Sequence, residues 1–142
     1  MKMGSPKVET QSPLVVIDSS ALLAVLLAEP ERSHFVDLIA KAGVRLLSAA
    51  NALEAAIVSE SRLGTIGGHE LDILIQKASI EIVSVDAEQF SAARRAWRKY
   101  GKGRHPAALN FGDCFAYALS KVSSEALLAK GTDFQQTDLH LL

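Results

Sequence analysis

Several features that would narrow the function of a protein are scarce in this sequence. It has one cysteine, Cys114, so an internal disulfide is excluded. Its formal net charge is −1, so bulk electrostatics favours neither an anionic nor a cationic partner. The apolar run at residues 21–28 is too short to span a membrane and ends at Glu29. Because no apolar signal segment follows Met1, we expect a cytoplasmic protein without membrane association.

The length and composition predict one folded domain. The chain has 142 residues, of which 49% are hydrophobic and only 6% aromatic, as is common for a sheet covered by helices. Residues 1–13 are polar and contain almost nothing that could join a core. We therefore interpret residues 1–13 as a disordered extension or an expression remnant, and residues 14–142 as the domain.

Short apolar strands alternate with helices along this domain. The predicted strands are residues 14–18, 44–47, 80–85 and 126–129, with residues 139–142 as a candidate fifth strand. The predicted helices are residues 19–28, 31–42, 49–63, 69–78, 87–100 and 112–122, with Ser and Asp residues as their caps. This alternation predicts an α/β fold whose mainly parallel sheet of four or five strands has helices on both faces.

Four carboxylates lie at or beside the ends of apolar runs. Asp18 closes the first strand, and Asp133 follows the fourth strand by a short turn. Glu54 and Asp113 lie early in predicted helices, which begin at the same edge of the sheet. Because like charges buried together require a compensating cation, a shared position for these four acids predicts a site for a hard divalent ion such as Mg²⁺.

Each acid also has an ordinary structural explanation. Asp18 is suited to cap the helix that follows it, and Asp113 is favoured by a helix dipole. Glu54 resembles the exposed glutamates that are common on helices, and Asp133 resembles a turn cap. Asp138, five residues later, is better explained as a turn or capping residue than as a metal ligand. The combination of the four acids therefore carries more weight than any one of them.

A basic segment, residues 94–104, leads towards Asp113. It contains six of the fifteen Lys and Arg residues, no acid, and interleaved aromatic residues. This pattern suits contacts to phosphates and stacking on bases, and Lys102 and Arg104 are candidates for holding the backbone of a substrate. The alternative is a solvated helix face with Trp97 in the core. Because the segment precedes Asp113 directly, we favour a role in binding a substrate or partner.

Taken together, these segments resemble the PIN-domain nucleases and, within them, the VapC toxins. Residues 15–22 match the opening motif of the family, and Glu54 falls where its second acid lies. Residues 101–118 closely match VapC toxins, and residues 127–139 match their closing motif. The similarity covers the whole predicted domain. One departure is Thr132, at a position where the family often has Asn or Asp.

The resemblance implies a PIN-like three-layer α/β/α sandwich and an endoribonuclease that depends on Mg²⁺ or Mn²⁺. The enzyme would cleave single-stranded regions of RNA as the toxin of a type II toxin–antitoxin pair. Its catalytic residues and metal ligands would be Asp18, Glu54, Asp113 and Asp133, and Ser20 would position a water or a phosphate. A VapB-like antitoxin would cover the acidic groove, the toxin would form a homodimer, and operator DNA would be bound only through the antitoxin.

Three other functions compete with this interpretation. A haloacid-dehalogenase-like phosphatase normally needs a second Asp two residues after the first, where this chain has Ser20. A response-regulator receiver needs a pair of acids at the end of the first strand, which Asp18 and Ser19 do not supply. A catalytically idle PIN scaffold that binds RNA or protein stays open, although such a scaffold is expected to have lost at least one of the four acids.

Overall fold

A four-stranded parallel sheet forms the centre of the computed structural model, which describes residues 13–142. The strands are β1 (Leu14–Ile17), β2 (Val44–Ser48), β3 (Ile80–Val83) and β4 (Ala126–Leu128). Their order is β3-β2-β1-β4, and every neighbouring pair is parallel. The predicted α/β class and parallel sheet are therefore confirmed. Because the strands are parallel, their carboxyl ends lie along one edge, and the ends of β1 and β4 are those followed by Asp18 and Asp133.

Helices cover both faces of this sheet. They are α1 (Ser19–Leu26), α2 (Arg32–Lys41), α3 (Ala49–Leu63), α4 (Thr65–Lys77), α5 (Ala87–Tyr100) and α6 (Phe111–Ser123). A short 3₁₀ helix (Asp133–Gln136) follows β4. Successive side chains of a strand point to opposite faces, so Val15 and Ile17 pack in one core with α1–α4, whereas Val16 packs in the other with α5 and α6.

The fourth helix begins earlier than the sequence predicted. It starts at Thr65 instead of residue 69, because Gly64 ends α3 in the left-handed region (φ 70°) and the chain turns directly into α4. Gly67 then lies inside the first turn of α4. A Cβ at this position would lie 2.7 Å from the carbonyl carbon of Ser59, so glycine allows α3 and α4 to pack closely.

At the two ends of the chain, the sequence predicts an N-terminal extension and a candidate fifth strand. The candidate fifth strand, residues 139–142, forms only an isolated parallel bridge between Leu127 and Leu141. The predicted extension, residues 1–13, lies outside the described residues except for Pro13, whose carbonyl accepts a hydrogen bond from the Gly43 amide (3.0 Å). Of the helices within residues 13–142, none is long and apolar enough to cross a membrane.

Candidate functional site

One cavity of about 250 Å³ at the carboxyl edge of the sheet is lined by all four predicted acids, Asp18, Glu54, Asp113 and Asp133. We call it the acidic cavity. The acids come from four separate parts of the chain: the end of β1, the second turn of α3, the first turn of α6 and the turn after β4. The parallel topology therefore brings them together although more than a hundred residues separate the first from the last.

Asp18 both caps a helix and faces the acidic cavity. Its Oδ2 accepts a hydrogen bond from the Ser20 amide (3.0 Å) at the start of α1, as the capping explanation predicted. Its Oδ1 is buried and has no hydrogen-bond partner among the described residues. Burial raises the pKa of Asp18 to about 6, and the charge of Glu54 adds to this effect. A buried oxygen of this kind is unfavourable unless a cation or water binds it.

Glu54 is held in place from two sides. Its Oε1 accepts hydrogen bonds from the Ser19 hydroxyl and from Asn51 Nδ2 (3.3 Å). Gly112, at the start of α6, packs directly against the carboxylate, since a Cβ at this position would lie 2.7 Å from Glu54 Cδ. Glu54 is therefore fixed against the beginning of α6 and is not an ordinary exposed helix residue.

Asp113 is buried at the N-terminus of α6 and forms a capping box with Asn110. The backbone amide of Asn110 donates to Asp113 Oδ2 (3.0 Å), and the backbone amide of Asp113 donates to Asn110 Oδ1 (2.9 Å). Burial raises the pKa of Asp113 to about 7, and repulsion from Asp18, Asp133 and Glu54 adds to it. Asp113 thus lies in the first turn of α6, as the helix-dipole explanation predicted, and the capping box is an additional contact. Its negative charge is nevertheless unfavourable there, because burial and three other carboxylates oppose it.

The two C-terminal acids differ in their surroundings. Asp133 begins the 3₁₀ helix, is exposed, and lines the acidic cavity. Asp138 does not line it, because its carboxylate accepts hydrogen bonds from the Tyr117 hydroxyl (2.6 Å) and from Lys121 Nζ (2.6 Å). Although burial alone would raise the pKa of Asp138, these two donors lower it. Asp138 therefore fastens the C-terminal segment to α6.

The donor set of the acidic cavity fits a hard divalent cation. Its ionisable groups are mostly carboxylates, one buried carboxylate oxygen lacks a donor, and two pKa values are raised by burial and mutual repulsion. Within residues 13–142, no three His, Cys, Asp or Glu side chains are close enough to surround one ion by themselves. Mg²⁺ usually retains several water molecules, so carboxylates that bind it partly through water suit this spacing.

Asn51 is a site residue that the sequence pattern did not reveal. It is fully buried, and its Nδ2 donates to the Gly112 carbonyl (3.0 Å) as well as to Glu54. It thereby connects α3 to the start of α6, 61 residues away. The available signal was its position one helical turn before Glu54, on the same face of α3.

Ser20 has a structural contact that the sequence did not indicate. Its hydroxyl oxygen accepts a hydrogen bond from the Lys130 amide (2.9 Å), which joins the start of α1 to the turn after β4. The Lys130 ammonium forms ion pairs with Glu29 and with Glu31 (3.3 Å). Ser20 also lines the acidic cavity, where the sequence placed it.

The basic segment, residues 94–104, lies on α5 and the loop that follows it. Its six cationic side chains are exposed, and none of them forms a salt bridge within the described part of the chain. Trp97 is 44% exposed, which contradicts the alternative that places it in the core. Small residues and Tyr100 fill the core face of α5 instead, and the Arg104 guanidinium stacks 4.1 Å from the centroid of the Trp97 ring.

An apolar groove of about 520 Å³ adjoins the acidic cavity, and we call it the aromatic groove. Its walls include Phe90, Trp97, Lys102, Phe111 and Phe115. Asn110 lines both the aromatic groove and the acidic cavity, so the two meet at the start of α6. Of the predicted substrate-binding residues, Ser20 thus lies in the acidic cavity, Lys102 lies in the aromatic groove, and Arg104 stacks on its wall.

Comparison with known proteins places this architecture among characterised relatives. A family model described as the PIN domain matches residues 15–139. A relative from Mycolicibacterium smegmatis named ribonuclease VapC is 54% identical over 125 residues, covering 88% of this chain and 97% of the relative. Ribonuclease VapC30 from Mycobacterium tuberculosis is 50% identical, covering 88% of this chain and 95% of the relative.

Solved structures with the same fold are more distant in sequence. Mycobacterium tuberculosis VapC20, a toxin that cleaves the sarcin–ricin loop, has a TM-score of 0.74 at 16% identity, with 90% of this chain and 98% of that chain covered. The VapBC2 complex of Rickettsia felis, bound to a fragment of its promoter DNA, has a TM-score of 0.71 at 17% identity, with 91% and 97% covered. These two structures support the fold alone.

Proposed function

This chain belongs to the PIN-domain family and, within it, to the VapC ribonucleases, and from this membership we propose a Mg²⁺- or Mn²⁺-dependent endoribonuclease. It would cleave single-stranded regions of RNA as the toxin of a type II toxin–antitoxin pair. The acidic cavity is the observation that carries this proposal, because four segments contribute carboxylates to it and the pKa values of Asp18 and Asp113 are raised there. Such an arrangement is costly in a protein that does not use it.

The carboxylates have distinct parts in this mechanism. Asp18, Asp113 and Asp133 would hold the divalent ion partly through water, with Glu54 as a further direct or water-mediated ligand. When bound, the ion would supply charge neutralisation at the phosphate and lower the pKa of a bound water towards neutrality. No histidine lines the acidic cavity within the described residues, so the chain offers no imidazole base there. Hydrolysis would then leave a 5′-phosphate and a 3′-hydroxyl.

Neighbouring side chains keep these carboxylates in position. Ser19 and Asn51 hold Glu54, and Asn110 holds Asp113 through the capping box. The Ser20 oxygen accepts a hydrogen bond from the backbone amide of Lys130, and, although burial raises the pKa of Asp18, a side-chain hydrogen bond from Ser20 lowers it. Ser20 would therefore position a water or a phosphate beside Asp18. Lys102 and Arg104 would contact the RNA backbone beyond the acidic cavity. This substrate contact would be electrostatic and would weaken with added salt.

The proposed partners follow from the same family membership. A VapB-like antitoxin would cover the acidic cavity with its C-terminal segment, and the toxin would act in the cytoplasm as a homodimer. Operator DNA would be bound only through the antitoxin. The support for an antitoxin is that one structural neighbour is a VapBC complex on promoter DNA.

Single-turnover cleavage of single-stranded RNA tests the proposed activity. We expect Asp18→Asn and Asp113→Asn to slow cleavage in Mg²⁺ by at least about 100-fold, because each removes a charge that holds the ion. Glu60→Gln is the control for these variants, since Glu60 lies exposed on α3 and does not line the acidic cavity. Near wild-type cleavage by both Asn variants would overturn the assignment. A wild-type protein that binds RNA equally with and without Mn²⁺ and leaves it intact would be the idle scaffold.

A further inference from the structure

Trp97 is exposed on α5 and does not contribute to the core of the fold. The core face of α5 is filled by Ala92, Ala93, Ala96 and Tyr100, so the indole is not needed for packing there. The ring is nevertheless held in place, because Gly101 lies against it: a Cβ at this position would lie 2.7 Å from Trp97 Cδ1. A large aromatic side chain that is exposed and also positioned indicates a binding surface.

The charges around the aromatic groove favour a polyanion. The Arg104 guanidinium lies 4.1 Å from the centroid of the Trp97 ring, and that of Arg94 lies 5.1 Å from the centroid of Phe90. None of the six cations in residues 94–104 is neutralised by an acid within residues 13–142. Cations stacked on accessible aromatic faces are suited to a strand that presents both phosphates and bases.

The position of the aromatic groove connects it to the proposed chemistry. Because Asn110 lines both the aromatic groove and the acidic cavity, a chain lying in the groove would enter the cavity beside Asp113. We propose that Trp97, with Arg104 on its ring, is a base-stacking platform for an unpaired nucleotide next to the scissile phosphate of single-stranded RNA. This inference rests on the proposed ribonuclease function and adds a specificity-determining residue to it.

An apolar segment of a protein partner is the other kind of occupant for such a groove. The charge pattern favours RNA, because residues 94–104 contain no acid that would pair with a partner's basic groups. Three of their cations, Arg94, Lys102 and Arg104, lie at the aromatic groove, where they would pair with phosphates. A stacking platform is also tolerant of sequence, since every base has a π-face. It would select unpaired nucleotides over paired ones, because only unpaired bases can leave their own stack.

Binding to oligouridine and to an equally long oligomer with abasic nucleotides separates stacking from phosphate contact. Binding is measured in the Asp113→Asn background, so that the RNA stays intact. We expect Trp97→Leu to weaken binding of oligouridine by about 5- to 150-fold and to leave binding of the abasic oligomer unchanged. Trp97→Phe, which keeps an aromatic ring, should bind oligouridine nearly as tightly as the protein with Trp97. Arg104→Ala should lower the salt dependence of binding by about 0.7 in the logarithmic slope. Ile66→Ala, an exposed apolar residue on α4, is the control.

Several results would overturn the platform. If Trp97→Leu weakens binding of the intact and the abasic oligomer equally, Trp97 has a structural role and does not stack on a base. If binding of both oligomers is unchanged, Trp97 does not contact the RNA. Unchanged RNA binding together with lost inhibition by the antitoxin would assign the aromatic groove to a protein segment. These failures are distinct from failure of the ribonuclease proposal, in which the protein with Asp113 and Trp97 intact does not cleave RNA.

Discussion

Replacing Asp113 with asparagine should stabilise the metal-free protein, and should do so increasingly as the pH rises. The folded protein raises the pKa of this carboxyl from 3.8 to about 7, mainly through burial. In the unfolded chain the carboxyl ionises near its ordinary pKa, so rising pH favours the unfolded state until the folded group has also lost its proton. The wild type therefore loses stability progressively between pH 4 and pH 7, and the size of this loss is constant at higher pH.

The size of the effect follows from the pKa shift. A shift of about three units corresponds to about 4 kcal/mol at pH 8, of which about 1.5 kcal/mol is already lost at pH 5. The asparagine introduced at position 113 cannot ionise. Its Oδ1 can still accept the hydrogen bond that the backbone amide of Asn110 now donates to Asp113 Oδ2. The advantage of Asp113→Asn should therefore grow by about 2–3 kcal/mol between pH 5 and pH 8, which is roughly 6–9 °C in melting temperature.

Thermal and urea unfolding in EDTA at pH 5, 6, 7 and 8 measure this difference. Asp72→Asn is the matched control, because it removes one exposed carboxylate on α4 that does not line the acidic cavity. Asp18 contributes to the pH dependence of stability in both the wild type and the Asp113→Asn variant, so its contribution largely cancels in the difference between them. A variant that is no more stable than the wild type at pH 8, or equally favoured at all four pH values, would refute the claim that the folded protein disfavours the charge of Asp113.

Three further predictions concern the same cavity. Mn²⁺ should raise the melting temperature of the wild type more at pH 8 than at pH 5, because protons and the ion compete for the carboxylates of Asp18 and Asp113; calorimetric scans measure this. Gly112→Ala should reduce Mn²⁺ affinity by at least about 10-fold in titration calorimetry, because the new methyl group displaces the Glu54 carboxylate. Asn51→Ala should lower the free energy of unfolding by about 1–3 kcal/mol in urea, because it leaves the Gly112 carbonyl without its donor.

Each of these predictions has an outcome that would contradict it. Equal stabilisation by Mn²⁺ at both pH values would mean that the ion does not bind the titrating carboxylates. Unchanged Mn²⁺ affinity of the Gly112→Ala variant, with a native circular dichroism spectrum, would mean that Glu54 is not a ligand. An Asn51→Ala variant as stable as the wild type would show that the link between α3 and α6 is not needed.

The regular elements were predictable because their signals are local. A short β-branched run followed by Asp18 specifies both the end of β1 and the cap of α1, and Asp86 likewise caps α5 through the Gln89 amide (2.8 Å). The parallel order of the strands then places the strand ends at one edge, which is why Asp18 and Asp133 were expected to meet. The roles of the four acids stay predictions until activity is measured.

Long-range packing is what the sequence could not reveal. The contact of Asn51 with the Gly112 carbonyl joins residues 61 apart, and no pattern along the chain records it. The start of α4 depended on how closely α3 and α4 approach at Gly67, which is likewise a property of the packed helices. Trp97 was ambiguous because an indole suits both a core and a binding surface, and only the alanine-filled face of α5 decides between them.

The order in which the cavity is completed has a consequence during protein synthesis. β1 is synthesised early, but one of its two edges pairs with Ala126–Leu128, and the last carboxylate of the acidic cavity is Asp133. A ribosome that has made everything up to α6 therefore carries a chain with three of the four acids and a central strand with one unpaired edge. Such a nascent chain would lack one of the four carboxylates proposed to hold the divalent ion, so we expect no RNA cleavage until the last segment of the domain has been synthesised.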